Sequence, residues 1–488
     1  MSSLSPSLSV PPLRVAAADF AVVPEAGQPA DFSQTGQTIR RVVGDLRTTV
    51  ILLETDATVL CLVSSPLPVD GRPLLRAATK AVLGRELGLA PAQIVCACTH
   101  AHTMPLMLID APAGWDGDGD APGAETNALG RAYLAGLRAA VRGLHARLAP
   151  ATIAWGVAPE TRVTYNRRGR RPDGRSYFIR EEDRLLLDPG YIGEIDADAP
   201  VVLFRDPAGR ALAALVLFTG HPVTAYNPEE PVAFGQWSQV AAEKLSAHLG
   251  GVPVAFLQGC AGDINSKYML TGTVEQALEL GGFLGDTFIR AAESARPSRR
   301  GDFAWKRLVV PIPLAELPDP AALERSLAEI DAFLRRAEAG DENTRECVGM
   351  NFPRALSPIY RARLVDPVRR WHVWALEQRR SGRAVSLPRT HLEEAVVARI
   401  GDVGLTAFRF EAFVKTGLKI KREAPLPLVL TACYTEGGQG YIPDATACDD
   451  REYQAGYFRY LPDRPPYQAP GGDAAATAAV AALRELSA

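Results

Sequence analysis

Two histidines separated by one residue, His100 and His102, close the run Ile-Val-Cys-Ala-Cys-Thr-His-Ala-His from Ile94. The chain has only 7 histidines, so a close pair at the end of an apolar run is the first place to look for chemistry. Imidazole binds metals and moves protons near neutral pH. On an extended chain residues two apart point to the same side, so both rings face one way. By spacing alone, either ring can ligate an ion while the other meets a substrate or carries a proton. His221 follows a second apolar run, Ala211 to Phe218, in Thr219-Gly-His-Pro. Glu411 stands between Phe410 and Phe413, where a carboxylate is costly to bury unless paired or metal-bound. Tyr441 lies in a Gly-rich loop after Leu426 to Ala432, and spacing alone does not separate it from Tyr434. The loop Gly259-Cys-Ala-Gly-Asp-Ile-Asn265 follows a further run, Pro253 to Leu257. Two imidazoles and a carboxylate suit Zn²⁺, which takes N and O ligands at about 2.0–2.2 Å. Zinc with an open position lowers the pKa of its water to about 7, and the resulting hydroxide attacks carbonyls. His145, His248, His372 and His391 lie in helical or polar surroundings and read as ordinary.

These residues need a scaffold that brings strand ends together. Thr49 to Leu53, Thr58 to Val63 and Ile94 to Cys98 read as strands, with a helix over Leu74 to Leu87 between the last two. That order predicts a parallel βαβ unit. Val201 to Phe204 and Ala211 to Phe218 form a hairpin around Asp206-Pro-Ala-Gly. Helices are expected over 127–147, 236–249, 274–295 and from Gly472 to the end. In open α/β sheets ligands bind beyond the carboxyl ends of strands, and five polar loops leave five such ends here. The expected fold is therefore α/β, with a mixed, largely parallel central sheet and flanking helices. Residues 318–381 read as an inserted helical layer. Asp319 caps its first helix with Pro320 at the first position, and Gly340 ends it. No internal repeat is visible.

Composition narrows the class. Apolar residues make up 47% and charged residues 22%, ordinary for a globular protein. A net charge of −3 gives no basic excess, which argues against nucleic acid as a partner. No signal peptide or membrane-length apolar run is visible, so a cytoplasmic, soluble chain is expected. The 7 cysteines are odd in number and scattered, and they read as small buried residues. Ser/Pro-rich residues 1–12 read as a disordered tail, and 13–488 as one catalytic domain. The Asp-Gly repeats of 110–125 lack the twelfth-position glutamate of a calcium loop.

Taken together, the stretches resemble the neutral (non-lysosomal) ceramidase family, in its N-terminal catalytic domain. Thr99-His-Ala-His stands where that family has Thr-His-Thr-His, and Tyr165-Asn-Arg where it has Asn-Arg-Ser. Gly220-His-Pro, Gly262-Asp-Ile-Asn, Phe410-Glu-Ala-Phe-Val-Lys-Thr-Gly and Gly440-Tyr-Ile-Pro follow in the family's order. The resemblance implies a zinc-dependent amidase acting on a small-molecule or lipid-like N-acyl substrate such as a sphingolipid, by attack of Zn-bound water on the amide carbonyl. It implies one Zn²⁺ held by His100, His221, Glu411 and Tyr441, with His102 and Arg167 as substrate or oxyanion contacts. The family serine of Gly-Asp-Val-Ser falls on Asn265, and Ser266 comes one place late, which leaves the metal as the main catalyst. No counterpart of the family's C-terminal immunoglobulin-like domain is expected. Two further readings stay open: a zinc esterase or lactonase on a small acyl substrate, and a catalytically silent metal- or ligand-binding relative.

Overall fold

A computed structural model describes residues 13–31, 36–68, 72–109, 126–174, 176–227, 230–438, 440–447, 453–461, 463–467 and 470–488. The expected tail 1–12 and the Asp-Gly loop 110–125 lie outside the described residues.

Three sheets carry the fold, each built on one plan. In the first, strand Arg14–Val22 pairs antiparallel with Leu46–Glu54, which pairs antiparallel with Val59–Ser65. Helix α1 (Pro73–Leu87) then crosses over to Ile94–Cys98, parallel to Val59–Ser65. The second sheet repeats this with Thr152–Pro159, Asp198–Arg205, Ala211–Phe218 and the parallel strand Val254–Gln258. The third uses Phe303–Pro313, Thr390–Ile400, Val403–Phe408 and the parallel strand Leu428–Ala432. The fold is α/β, but the expectation of a largely parallel sheet fails. Antiparallel pairing dominates, and each sheet keeps one parallel pair at the end where a helix crosses over. Apolar runs report burial and not strand direction, which is why the sequence misled. The three equivalent units also correct the reading that the chain has no repeat.

Hydrophobic patterning explains how the units assemble. Alternate residues of all three sheets share one core, including Leu62, Val95, Leu215, Leu257, Leu405 and Leu430. Each outer face takes two helices. The first is covered by α1 and α2 (Ala128–Val141). The short helix α3 (Glu181–Leu187) lies apart from this scheme. The second sheet is covered by α4 (Gln236–His248) and α5 (Val274–Glu293). Helices α6 (Pro320–Glu338) and α7 (Pro358–Arg380) pack against each other as a helical layer. Asp319 accepts from the Ala322 N–H at 2.8 Å, and Gly340 takes the left-handed conformation just past the end of α6. The third sheet is covered by α8 (Val414–Glu423) and α9 (Gly471–Ser487). Among the described residues no helix is long and apolar enough to cross a membrane.

One ion pair, between buried Arg399 and half-buried Asp302, locks the third unit. Arg399, in the central strand Thr390–Ile400, donates to Asp302 at 2.8 and 2.5 Å and to the Leu486 carbonyl at 2.6 Å. These bonds hold the Asp302 carboxyl down at about 2. A depressed carboxyl stabilises the fold above its unfolded pKa, and the effect is lost as pH falls through its folded pKa. Asp302→Asn is expected to cost roughly 3 kcal/mol at pH 7 by stranding a buried guanidinium. Urea denaturation at pH 7 and pH 2 checks this, and the gap between wild type and variant should shrink at the lower pH.

Candidate metal centre

The parallel pairs of the three sheets end at one place. Beyond Cys98 the chain turns at His100, which has φ 63°, and beyond Ala432 it turns at Tyr434, with φ 56°. Left-handed conformation is uncommon for residues with a Cβ and concentrates at sites where the surroundings enforce it. The turns are stitched together by backbone bonds. Cys98 N–H donates to Tyr434 O at 2.9 Å, and Cys433 N–H to Gln258 O at 2.9 Å.

Gln258 ends strand Val254–Gln258 and is fully buried. Its amide nitrogen donates to Thr99 O at 3.0 Å and Gly220 O at 2.6 Å. Those carbonyls immediately precede His100 and His221. One side chain therefore fixes the backbone that presents both imidazoles, and nothing in the sequence spacing marked it.

Gly262-Asp-Ile-Asn forms the second hub. Gly262 N–H donates to Ala412 O at 2.8 Å, and a Cβ on Gly262 would lie 2.6 Å from Glu411 O. Only glycine allows this approach. Asp263 accepts from Val414 N–H at 2.7 Å at the start of α8. Burial pushes the Asp263 carboxyl up to about 6. Ile264 O accepts the His221 backbone N–H at 2.9 Å. Glu411 and Tyr441 face each other in a short parallel pair, with Glu411 N–H on Gly440 O.

The side chains converge accordingly. Ring nitrogens of His100, His102 and His221 lie within 4.8 Å of one another. Glu411 Oε2 is 3.0 Å from His221 Nε2 and 3.7 Å from His100 Nε2. Tyr441 Oη is 3.4 Å from His221 Nε2. His221 Nδ1 sits 3.1 Å from the Ile264 carbonyl, which can only accept, so the proton is on Nδ1 and Nε2 presents its lone pair. Burial holds all three imidazoles well below their ordinary pKa. A lone pair of a neutral His221 would thus face a carboxylate oxygen at 3.0 Å, and a cation between them would satisfy both. Nitrogen and oxygen donors of this kind fit zinc: the three imidazoles could hold an ion, with Glu411 Oε2 beside two of them and Tyr441 Oη beside His221.

Arg167 stands behind them, buried. It donates to Asn265 Oδ1 at 2.9 Å, Gly262 O at 2.6 Å and Tyr441 Oη at 3.0 Å. Asn265 is fully buried and turns its amide to Tyr165 and Met269. Ser266 takes Val223 N–H and the Thr224 hydroxyl. The structure therefore puts Asn265 and Ser266 in the support of the site, with Arg167 bridging that support to Tyr441 and His102 facing the cavity. The Tyr434 ring, 4.3 Å from that of His100, was missed as a site residue. The available signal was its place two residues past a strand end, which matches that of His100.

A cavity of about 130 Å³ opens from this cluster. His102, Arg167, His221 and Tyr441 form its polar end, and Met269, Met350, Phe352, Leu356 and Leu364 line the rest. Residues 350–364 come from the helical layer, so the layer roofs the site.

No family model matches the chain, and no curated protein sequence matches it. Among solved structures its fold is that of the neutral ceramidases. Neutral ceramidase from Pseudomonas aeruginosa superposes with a TM-score of 0.63 at 16% identity, covering 98% of this chain and 75% of that one. A ceramidase complexed with C2 gives a TM-score of 0.62 at 16% identity, over 97% and 76%. At that identity the likeness establishes a shared fold, in a divergent sequence.

Gln258→Leu tests the stitching. It keeps the bulk but leaves two buried carbonyls without donors, at about 1–3 kcal/mol each. The expected loss is about 4 kcal/mol in urea denaturation, far above that of an ordinary surface substitution.

Proposed function

We propose that the chain is a zinc-dependent hydrolase of linear amide bonds, ceramidase-like, acting on an N-acyl substrate in a cytoplasmic setting. The observation that carries the reading is the pairing of His221 Nε2 with Glu411 Oε2, 3.0 Å apart beside His100 and Tyr441. His100, His221, Glu411 and Tyr441 would hold the ion. When bound, zinc supplies a Lewis acid and water acidified toward neutral pH. The protein's own groups do the rest. The carbonyl of the substrate enters the polar end of the cavity, and the acyl group lies against Met269, Met350 and Phe352. His102 lines that end and is placed to hydrogen-bond the carbonyl oxygen and to pass a proton to the leaving nitrogen. Arg167 holds the Tyr441 hydroxyl in place and keeps positive charge beside the oxygen where negative charge develops. The apolar walls exclude bulk water.

Ceramidase structural neighbours and the apolar cavity support an acyl amide over a polar one. Metal analysis with hydrolysis assays on N-acyl amides, esters and lactones tests the reading. One zinc per chain and amide cleavage are expected, with loss of zinc and of roughly 10³ in kcat/KM for Glu411→Gln. A zinc-free protein that added zinc does not activate contradicts it, and cleavage restricted to esters reassigns the bond.

A further inference from the structure

The cavity is small for a lipid. An apolar space of about 150 Å³ accommodates a benzene-sized group, and this one is about 130 Å³. A long-chain amide bound at the cluster therefore leaves most of its chain outside, at the rim.

That rim is apolar. Helix α3 is bonded directly to the cavity wall: Arg180 donates to Phe352 O, and Arg354 N–H donates to Glu182 at 3.0 Å. The helix then presents three consecutive leucines to solvent, with Leu185 42%, Leu186 81% and Leu187 77% exposed. Ile359, 55% exposed, precedes the cavity-lining Tyr360. Leu187 shares a shallow cleft with Asn351, and Asn351 also lines the cavity. The acids of α3 are matched by arginines: Glu181 with Arg184, Asp183 with Arg180, and Glu182 with Arg180 and Arg354. The cleft beside the ridge mixes Arg171 and Arg180 with Asp173, Asp183 and Glu346, so the apolar ridge has no net basic surround.

We propose that Leu185, Leu186, Leu187 and Ile359 form a docking surface for a neutral, zwitterionic lipid layer, continuous with the cavity mouth. Apolar insertion, and not attraction to anionic headgroups, drives the contact. The part of a lipid substrate that overhangs the cavity then stays in the layer from which it came. The link to substrate rests on the amidase reading; the docking itself does not.

The experiment is co-sedimentation of the full chain with phosphatidylcholine vesicles at low and high salt, beside the double variant Leu186→Glu, Leu187→Glu. Its companion assays are hydrolysis of a soluble short-chain N-acyl amide and of a long-chain one embedded in the vesicles. Wild type is expected to sediment equally at both salt concentrations. The variant should partition at least tenfold less and lose vesicle-embedded hydrolysis, while its thermal midpoint and its rate on the soluble amide are kept. The proposal is overturned if wild type stays in the supernatant, if the variant sediments equally, or if binding needs anionic lipid. It is overturned too if wild type is a dimer that the variant dissociates without any vesicle binding, since the ridge then covers a second copy. Vesicle binding without hydrolysis of either amide defeats the amidase reading and upholds the docking.

Discussion

A histidine whose Nδ1 proton is committed to a carbonyl cannot also donate from Nε2 unless it is charged. Buried His221 is in that position, and the group it faces at 3.0 Å is Glu411. Two acceptors at that distance repel in a low-dielectric interior, and a cation between them reverses the sign of the interaction. The architecture holds this unfavourable encounter in place. Gln258 pins the backbone before His100 and His221, and Gly262 lets the strand carrying Glu411 come close. Arg167 anchors Tyr441 on the far side. Such preorganisation would make a metal site here selective, since the donors are held together by the scaffold.

The threefold plan explains why one chain supplies so many groups to one point. Each unit contributes a hairpin and a helical crossover, and the crossover brings the parallel pair's ends to the shared axis of the core. Unit one delivers His100 and His102, unit two His221 and the Gly262 loop, and unit three Glu411, Tyr434 and Tyr441. Division of ligands among the units ties the site to the complete assembly. The α6–α7 layer adds what the units lack, an apolar roof over a polar cluster. The proposed hydrolysis would need that contrast, with water excluded on one side and charge managed on the other.

Much of this was legible in the residues. The five strand ends, the histidine pair, and the Asp319 and Gly340 boundaries of α6 follow from local rules, because capping and periodicity act over a few residues. Strand direction did not follow, since an apolar run such as Ala211–Phe218 serves parallel and antiparallel neighbours alike, and this one has both. The repeat stayed hidden because it lives in topology, with connections of very different length between equivalent strands. Gln258 was invisible for a related reason: its side-chain partners lie 38 and 159 residues away. The cavity escaped as well, because its lining residues are scattered from His102 to Tyr453 and meet only in the fold.

The most direct measurement is anomalous X-ray diffraction at the zinc edge from crystals of the purified chain. The account predicts one peak, bonded to His100, His221 and Glu411, with Tyr441 beside it and His102 outside the coordination. No peak at that point, or a zinc held by other residues with His221 and Glu411 in direct hydrogen-bonded contact, contradicts it.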